Sequence, residues 1–377
     1  MKIIRTLVIV SQIVIGLTFI FSGFVKAVDP MGTMIKIQEY FIAFNMDWLN
    51  SFSLIFAIIL CSYEFPLGVA ILLGSKGKPM SWLLLIIMAG FTVLTFILAL
   101  TNPVSDCGCF GDAIKLSNWE TFYKNLVLMF FTLILFIYRN KIIPFHKLFS
   151  NWGSVIVSSI FILFISIYCY MYLPIIDFLP FKKGNDIVEQ MTIPEGKSGD
   201  VYETILVYKN KESGKTQEFD IDNIPMDDKW EWVETQNKIV KKGYKPPLTD
   251  FILSDSAGNE SGQKFLNKSG YKLLVIYHSL DVKNLRNQEK INQLTKRLTE
   301  DGVVSVWGVT SSSAEYIKNF REKYNAVLPM YHADIVLLEM MIRSNPGLML
   351  VKDSKVIMKW PSRKIPDYDQ FNKILFN

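Results

Sequence analysis

Asp106-Cys107-Gly108-Cys109-Phe110-Gly111-Asp112 lies between two long apolar runs, residues 80–101 and 122–138, and holds two of the four cysteines in the 377-residue chain. About 20 apolar residues suffice for an α-helix to cross a bilayer, so these seven read as a polar turn where the chain has just left a membrane. Two thiols one residue apart in such a turn point to redox chemistry, a structural disulfide or metal binding rather than to packing. Glycine between them permits backbone angles that a side chain would oppose. A disulfide in so small a ring is strained and easily reduced, which makes it a good donor of oxidising equivalents. Asp106 and Asp112 argue the other way, because neighbouring carboxylates raise a thiol's pKa.

Outward from this turn, five stretches are long enough to span a membrane: 6–25, 52–74, 80–101, 122–138 and 153–176. The first, preceded by Lys2 and Arg5, also has the outline of a signal peptide, but Lys26 fits a cleavage site at Val25-Lys26-Ala27 poorly. With five spans, Lys2, Arg5, Lys76, Lys78, Arg139, Lys141 and Lys147 share one side without an acid. The opposite side mixes Lys26, Lys36 and Lys115 with Asp29, Glu39, Asp47, Asp106, Asp112 and Glu120. The positive-inside rule therefore predicts a cytoplasmic N-terminus, with the thiol turn and everything after residue 176 outside.

Glu64 is the one acid within a span, with Cys61 three residues earlier on the same helical face. An ionisable group at that depth is costly and faces a bundle interior, a partner or a ligand path. The alternative is a neutral, hydrogen-bonded carboxyl that locks helices together. Cys61 and Cys169 read as small core hydrophobes.

The soluble half contains no cysteine, which excludes a disulfide-stapled module. A net charge of +5 without a basic, aromatic-interleaved block gives no case for nucleic-acid binding. Residues 177–200 read as a polar linker, and Tyr202–Tyr208 with Thr216–Ile221 as a hairpin. Phe251–Leu253 reads as a further strand. From residue 271 strands and helices alternate: strands at Tyr271–Tyr277, Val303–Val309 and Val327–His332, with helices at Asn284–Glu300, Ser313–Tyr324 and Asp334–Ile342. A hairpin, Leu348–Val351 and Val356–Trp360, and a closing helix, Asp367–Phe376, complete a mixed sheet covered on both faces.

Gly16, Phe19, Ser22-Gly23 and Lys26, then Glu64, and above all Asp106-Cys107-Gly108-Cys109-Phe110-Gly111, resemble the DoxX/MauE family of four-span membrane proteins over about residues 1–140. The resemblance implies formation or maintenance of disulfides in exported proteins, in a bacterial inner membrane with the C-terminal domain in the periplasm. About residues 245–377 resemble a thioredoxin-like domain, with Asn345-Pro346-Gly347 in the place of that fold's cis-proline segment. The resemblance implies an active pair after the strand ending at Tyr277, where this chain has His278-Ser279-Leu280-Asp281 and no sulfur.

The expected architecture is thus an all-α transmembrane helix bundle, four DoxX-like spans plus a fifth, followed by an α/β thioredoxin-like domain. Its parts are a membrane domain at 1–150, the fifth helix and linker at 151–200, a β-rich connecting segment at 201–244, and the thioredoxin-like domain at 245–377. One functional reading is thiol–disulfide exchange by Cys107 and Cys109, with Cys107 attacking and Cys109 resolving. A membrane quinone near Glu64, Cys61 or the spans would then be the electron sink, and Asn345, Pro346 and Gly347 would hold exported client proteins. The other reading is a non-enzymatic, membrane-anchored binding or assembly factor. No metal site is expected, since Cys107 and Cys109 need further ligands: His146 falls on the wrong side, and His278 and His332 belong to the other domain.

Overall fold

The computed structural model describes residues 2–376, apart from 105, 143, 145–151, 226, 242 and 282–284. His146 and Lys147 of the sequence reading lie outside the described residues. Helix α1 (Lys2–Val28) is followed by α2 (Pro30–Ala43), then by α3 (Ser53–Leu73), α4 (Gly77–Thr101), α5 (Asn118–Ile137) and α6 (Gly153–Met171). All of these but α2 are long and apolar enough to cross a membrane, and the chain is a multi-pass membrane protein. Ile86, Phe130 and Ile160 lie on the outside of the bundle, as lipid-facing residues should.

The unexpected element is α2, which sits between the first two spans. It starts where Asp29 caps it by accepting from the Gly32 N–H at 2.9 Å, with Pro30 in the first turn. Helices α1 and α3 pack closely. A Cβ at Gly23 would come within 2.5 Å of the Phe65 backbone nitrogen, so glycine there lets the two backbones touch. At the far side of the thiol turn, Ser117 and Glu120 form a reciprocal capping box that starts α5.

After α6 the chain runs into a short helix, α7 (Ile187–Met191), and strands β1 (Val201–Asn210), β2 (Thr216–Asp220) and β3 (Trp230–Lys241). These strands form a separate antiparallel sheet in the order β2-β1-β3. The sheet is entered and left at one place, where the Tyr244 N–H donates to the Ser198 carbonyl at 2.8 Å.

The soluble core follows as α8 (Gly262–Asn267), β4 (Tyr271–Tyr277), α9 (Gln288–Asp301), β5 (Val304–Thr310), α10 (Ala314–Tyr324), β6 (Met330–His332), α11 (Ile335–Met341), β7 (Gly347–Lys352), β8 (Lys355–Pro361) and α12 (Tyr368–Phe376). The sheet order is β6-β5-β4-β7-β8, parallel through β4, β5 and β6 and antiparallel at β7 and β8. Side chains alternate across it, so both faces are apolar and covered. Leu273, Val275 and Tyr277 pack against α9 on one face, and Leu274 and Ile276 pack against Phe265 and Leu338 on the other. This is the α/β thioredoxin-like arrangement expected from the sequence.

Residues 179–187, part of the expected linker, belong to this core. Phe181 and Ile187 are buried in it, and the backbone at 184–187 bonds to Ser354 and Val356 along the outer edge of β8. Phe251–Leu253 forms no strand. Instead Ser254 exchanges two backbone hydrogen bonds with His332 on the outer edge of β6.

Candidate functional site: the thiol loop and its cavity

Cys107 and Cys109 face each other with sulfurs 2.9 Å apart, both as free thiols. Gly108 turns the chain between them at φ +63°, and a Cβ there would also press on Lys36 Cγ at 2.6 Å. Helix α2 holds the front of the loop: the Tyr40 hydroxyl donates to the Cys107 carbonyl, and Lys36 pairs with Asp106 at 3.4 Å. The other Asp106 oxygen accepts the Gly108 N–H at 2.9 Å.

Behind the loop, Lys26 and Glu64 form a buried ion pair. Lys26 Nζ donates to the two Glu64 oxygens at 2.7 and 2.9 Å and to Ser22 Oγ at 2.8 Å, which uses all three of its N–H groups. Ser22 Oγ lies 2.8 Å from Glu64 Oε2 and 2.8 Å from the Cys109 carbonyl, so it ties the ion pair to the thiol loop. Ser22 and Lys26, four apart, share one face of α1. The sequence reading singled out Glu64 but not its partner. The available signal was a base in the last turn of one apolar helix and an acid in the middle of the next span.

The two thiols are unequal. The hydrogen bond with Cys107 brings Cys109 down to about 6, with Lys124 and Lys26 adding to it against burial. The same hydrogen bond and burial push Cys107 up. Asp106 and Asp112, expected to disfavour a thiolate, are each engaged by a cation: Lys36 for the first, Lys115 and Arg343 for the second. Cys109 is also the more exposed of the two. Within the pair, Cys109 is thus the more acidic thiol and Cys107 the less acidic one.

Both thiols open on a cavity of about 180 Å³ inside the bundle. Its walls are mostly apolar, with Met88, Phe91 and Leu128 among them, and its polar lining includes Lys26, Lys36, Glu64, Lys124 and Asn125. Cys61 is not among its lining; it is buried beside Cys169 and Ser166 between α3 and α6. Among the described residues, no group of three or more His, Cys, Asp and Glu is placed to hold a metal ion.

The soluble domain reaches the same end of the bundle. The Asn345–Pro346 bond is cis, with Pro346 and Gly347 buried and Asn345 half-buried, its amide donating to the Ser279 carbonyl at 3.0 Å. His278, at the end of β4, is buried and hydrogen-bonded to the Ile342 carbonyl at 2.8 Å. Arg343, two residues before Asn345, pairs with Asp29 at 2.9 Å and with Asp112 at 3.0 Å. The sequence reading missed Arg343, Asp29, Tyr40 and Lys36 as parts of the site.

Residues 202–242 match a domain of unknown function, DUF8463. Among curated proteins, no sequence matches the chain. Solved structures similar to it include a thioredoxin-like protein from Aeropyrum pernix, at 17% identity over 33% of this chain and 88% of that one, with a TM-score of 0.28. Another is the thioredoxin domain of a thiol-disulfide oxidoreductase from Bacteroides vulgatus, at 15% identity over 33% and 91% with a TM-score of 0.27. A third is a peroxidoxin from Mycobacterium tuberculosis, at 17% identity over 33% and 89% with a TM-score of 0.25. Residues 4–138, the segment that carries both loop thiols, Lys26 and Glu64, match the family of methylamine utilisation protein MauE.

Proposed function

We propose that this protein exchanges disulfides with exported proteins through Cys107 and Cys109, on the outer face of a bacterial inner membrane. The observation that carries this reading is the facing pair of thiols, one of them held near 6, opening on an apolar cavity within the helix bundle. In the oxidising direction, a client thiolate attacks the Cys107–Cys109 disulfide at Cys109 and releases the Cys107 thiolate. A second client thiolate then attacks the client's own sulfur in the mixed disulfide, so the client gains a disulfide and the loop is left as two thiols. In the reducing direction the same steps run backwards, with the Cys109 thiolate as attacker.

The cavity's apolar walls, with charged groups among them, suit the ring of a lipid-soluble quinone. Bound there, a quinone would take the two electrons and two protons that the loop thiols give up as they form a disulfide. Lys26 and Glu64 would supply the charged end of that site.

The test uses full-length protein in membranes, acid-quenched and resolved without reductant. Cys107→Ser is expected to accumulate mixed disulfides between Cys109 and exported proteins, because the resolving thiol is gone. Cys109→Ser should give far fewer, and the double variant none. No adduct from either single variant, with full function of the double, would remove the redox reading. It would leave the second one, a membrane-anchored binding or assembly factor, which the cysteine-free soluble domain favours.

A further inference from the structure

Three of the anchors that fix the thiol loop come from the membrane domain: Lys36, Tyr40 and Ser22. A fourth comes from the soluble domain. Arg343 lies 231 residues from Asp112 and 314 from Asp29, yet its guanidinium spans both carboxylates, with Nε on Asp29 and Nη2 on Asp112. Nη1 donates to the Glu339 carbonyl at 3.0 Å, which ties the side chain back to α11, the helix just before it. Asp112 stands three residues after Cys109, and Asp29 is the cap of α2, the helix that carries Lys36 and Tyr40. Without a cation between them, two carboxylates would face each other there, one of them, Asp29, held above its ordinary pKa by burial. Gly32 leaves room for this contact: a Cβ at that position would collide with Asp29 Oδ2 and lie 2.8 Å from Arg343 Nη2.

We infer that Arg343 is a positioning residue for the thiol pair: the soluble domain locks the rear of the Cys107–Cys109 loop onto α2, and the loop keeps its thiols facing each other only while that domain is docked. The inference rests on Cys107 and Cys109 being the working pair. It assigns the thioredoxin-like domain a task that needs no sulfur of its own, as a removable wall of the thiol site. The arginine fork suits this role, since its planar donors reach two carboxylates at once.

The groups that set the Cys109 titration are Cys107 on the loop, Lys124 on α5, Lys26 on α1 and Glu64 on α3. A loop no longer held against α1 and α2 carries Cys109 away from Lys26 and Glu64 and loosens its contact with Cys107. The experiment is the pH profile of N-ethylmaleimide alkylation at Cys109, read by mass spectrometry on the reduced full-length protein in membranes. In the parent protein the midpoint should lie near 6. Arg343→Gln is expected to move it up toward the ordinary thiol value of about 8.5. Gly32→Ala should do the same without altering any charge, although alanine favours a helix. Arg343→Lys should move the midpoint only part of the way, because an ammonium keeps the charge but lacks the fork that reaches both carboxylates. Lys359→Gln, which breaks a different buried pair with Asp177 at 2.7 Å, should leave it in place.

An unmoved midpoint in Arg343→Gln and Gly32→Ala overturns the inference, as does an equal shift in Lys359→Gln. Should both variants be lost from the membrane, Asp112→Asn decides in their place: a raised midpoint supports the lock and an unmoved one overturns it. The measurement reports loop geometry whether or not the pair exchanges disulfides. A shifted midpoint with no mixed disulfide therefore sinks the function alone, and mixed disulfides with no shift sink the lock alone.

Discussion

The membrane and soluble halves of this protein divide what a single thioredoxin-like enzyme would combine. At the end of β4, where that fold would carry its dithiol, stand His278, Ser279, Leu280 and Asp281. The thiols are found instead on a loop between α4 and α5, beside a buried Lys26–Glu64 pair. Both sites sit at the junction of the halves, where Arg343 crosses from one to the other. The difference teaches that a domain without cysteines of its own can still stand against a pair of thiols, because a loop of the neighbouring half is tied to it through Arg343 and Asp112.

The comparison breaks hardest at the ion pair. Leaving one partner of a buried pair alone costs about 3–5 kcal/mol, so Lys26→Met should strip most of the protein from the membrane, as read by immunoblot of the membrane fraction. Lys26→Met with Glu64→Met should recover abundance, since apolar residues of similar volume replace both charges. If the single variant is as abundant as the parent, the pair is not what joins α1 to α3.

A smaller effect tests the soluble side. Burial holds His278 at about 4, below the 6.5 of an exposed histidine. Between those values the unfolded chain binds a proton that the folded domain refuses, so stability is whole above about 6.5 and drains as pH falls toward 4. Tryptophan fluorescence from Trp307 and Trp360 in urea titrations should show this slope, and His278→Gln should flatten it. An unchanged slope in that variant would mean that another group carries it.

The least of the three is Gly108→Ala, which places a side chain at positive φ and should cost about 1–2 kcal/mol. Closure of the loop disulfide by a small oxidant should slow, without loss of protein from the membrane. Closure at the parent rate would show that neither the turn nor the contact with Lys36 constrains the pair.

Much of the architecture was legible in the chain. Hydropathy alone marks α1, α3, α4, α5 and α6, and uninterrupted apolar runs mark β4 and β5, because each signal lies within one element. Helix α2 escaped because it is neither long nor apolar enough to stand out, although Asp29-Pro30 is a start signal. The pairing of Lys26 with Glu64, 38 residues apart, and of Arg343 with Asp29 and Asp112 depends on which helix faces which, and no local pattern records that. The unequal surroundings of the two thiols were hidden for the same reason, since Lys124 and Lys26 reach Cys109 only through the fold.

The three-stranded sheet of β1, β2 and β3 leaves and rejoins the soluble domain at a single point. Ser198 meets Tyr244 there, and the Gly243 N–H donates to Asp200 at 2.7 Å. The domain's own core begins earlier, with Phe181 and Ile187, and resumes at Leu248. The sheet is therefore a cassette inserted into a scaffold complete without it, and its match to a separate domain over 202–242 coincides with that boundary. Gly199 and Gly243 approach so closely that a side chain at Gly243 would strike the Gly199 carbonyl. Joining one glycine to the other would excise the cassette without touching a residue of the thiol loop, its cavity or the arginine bridge.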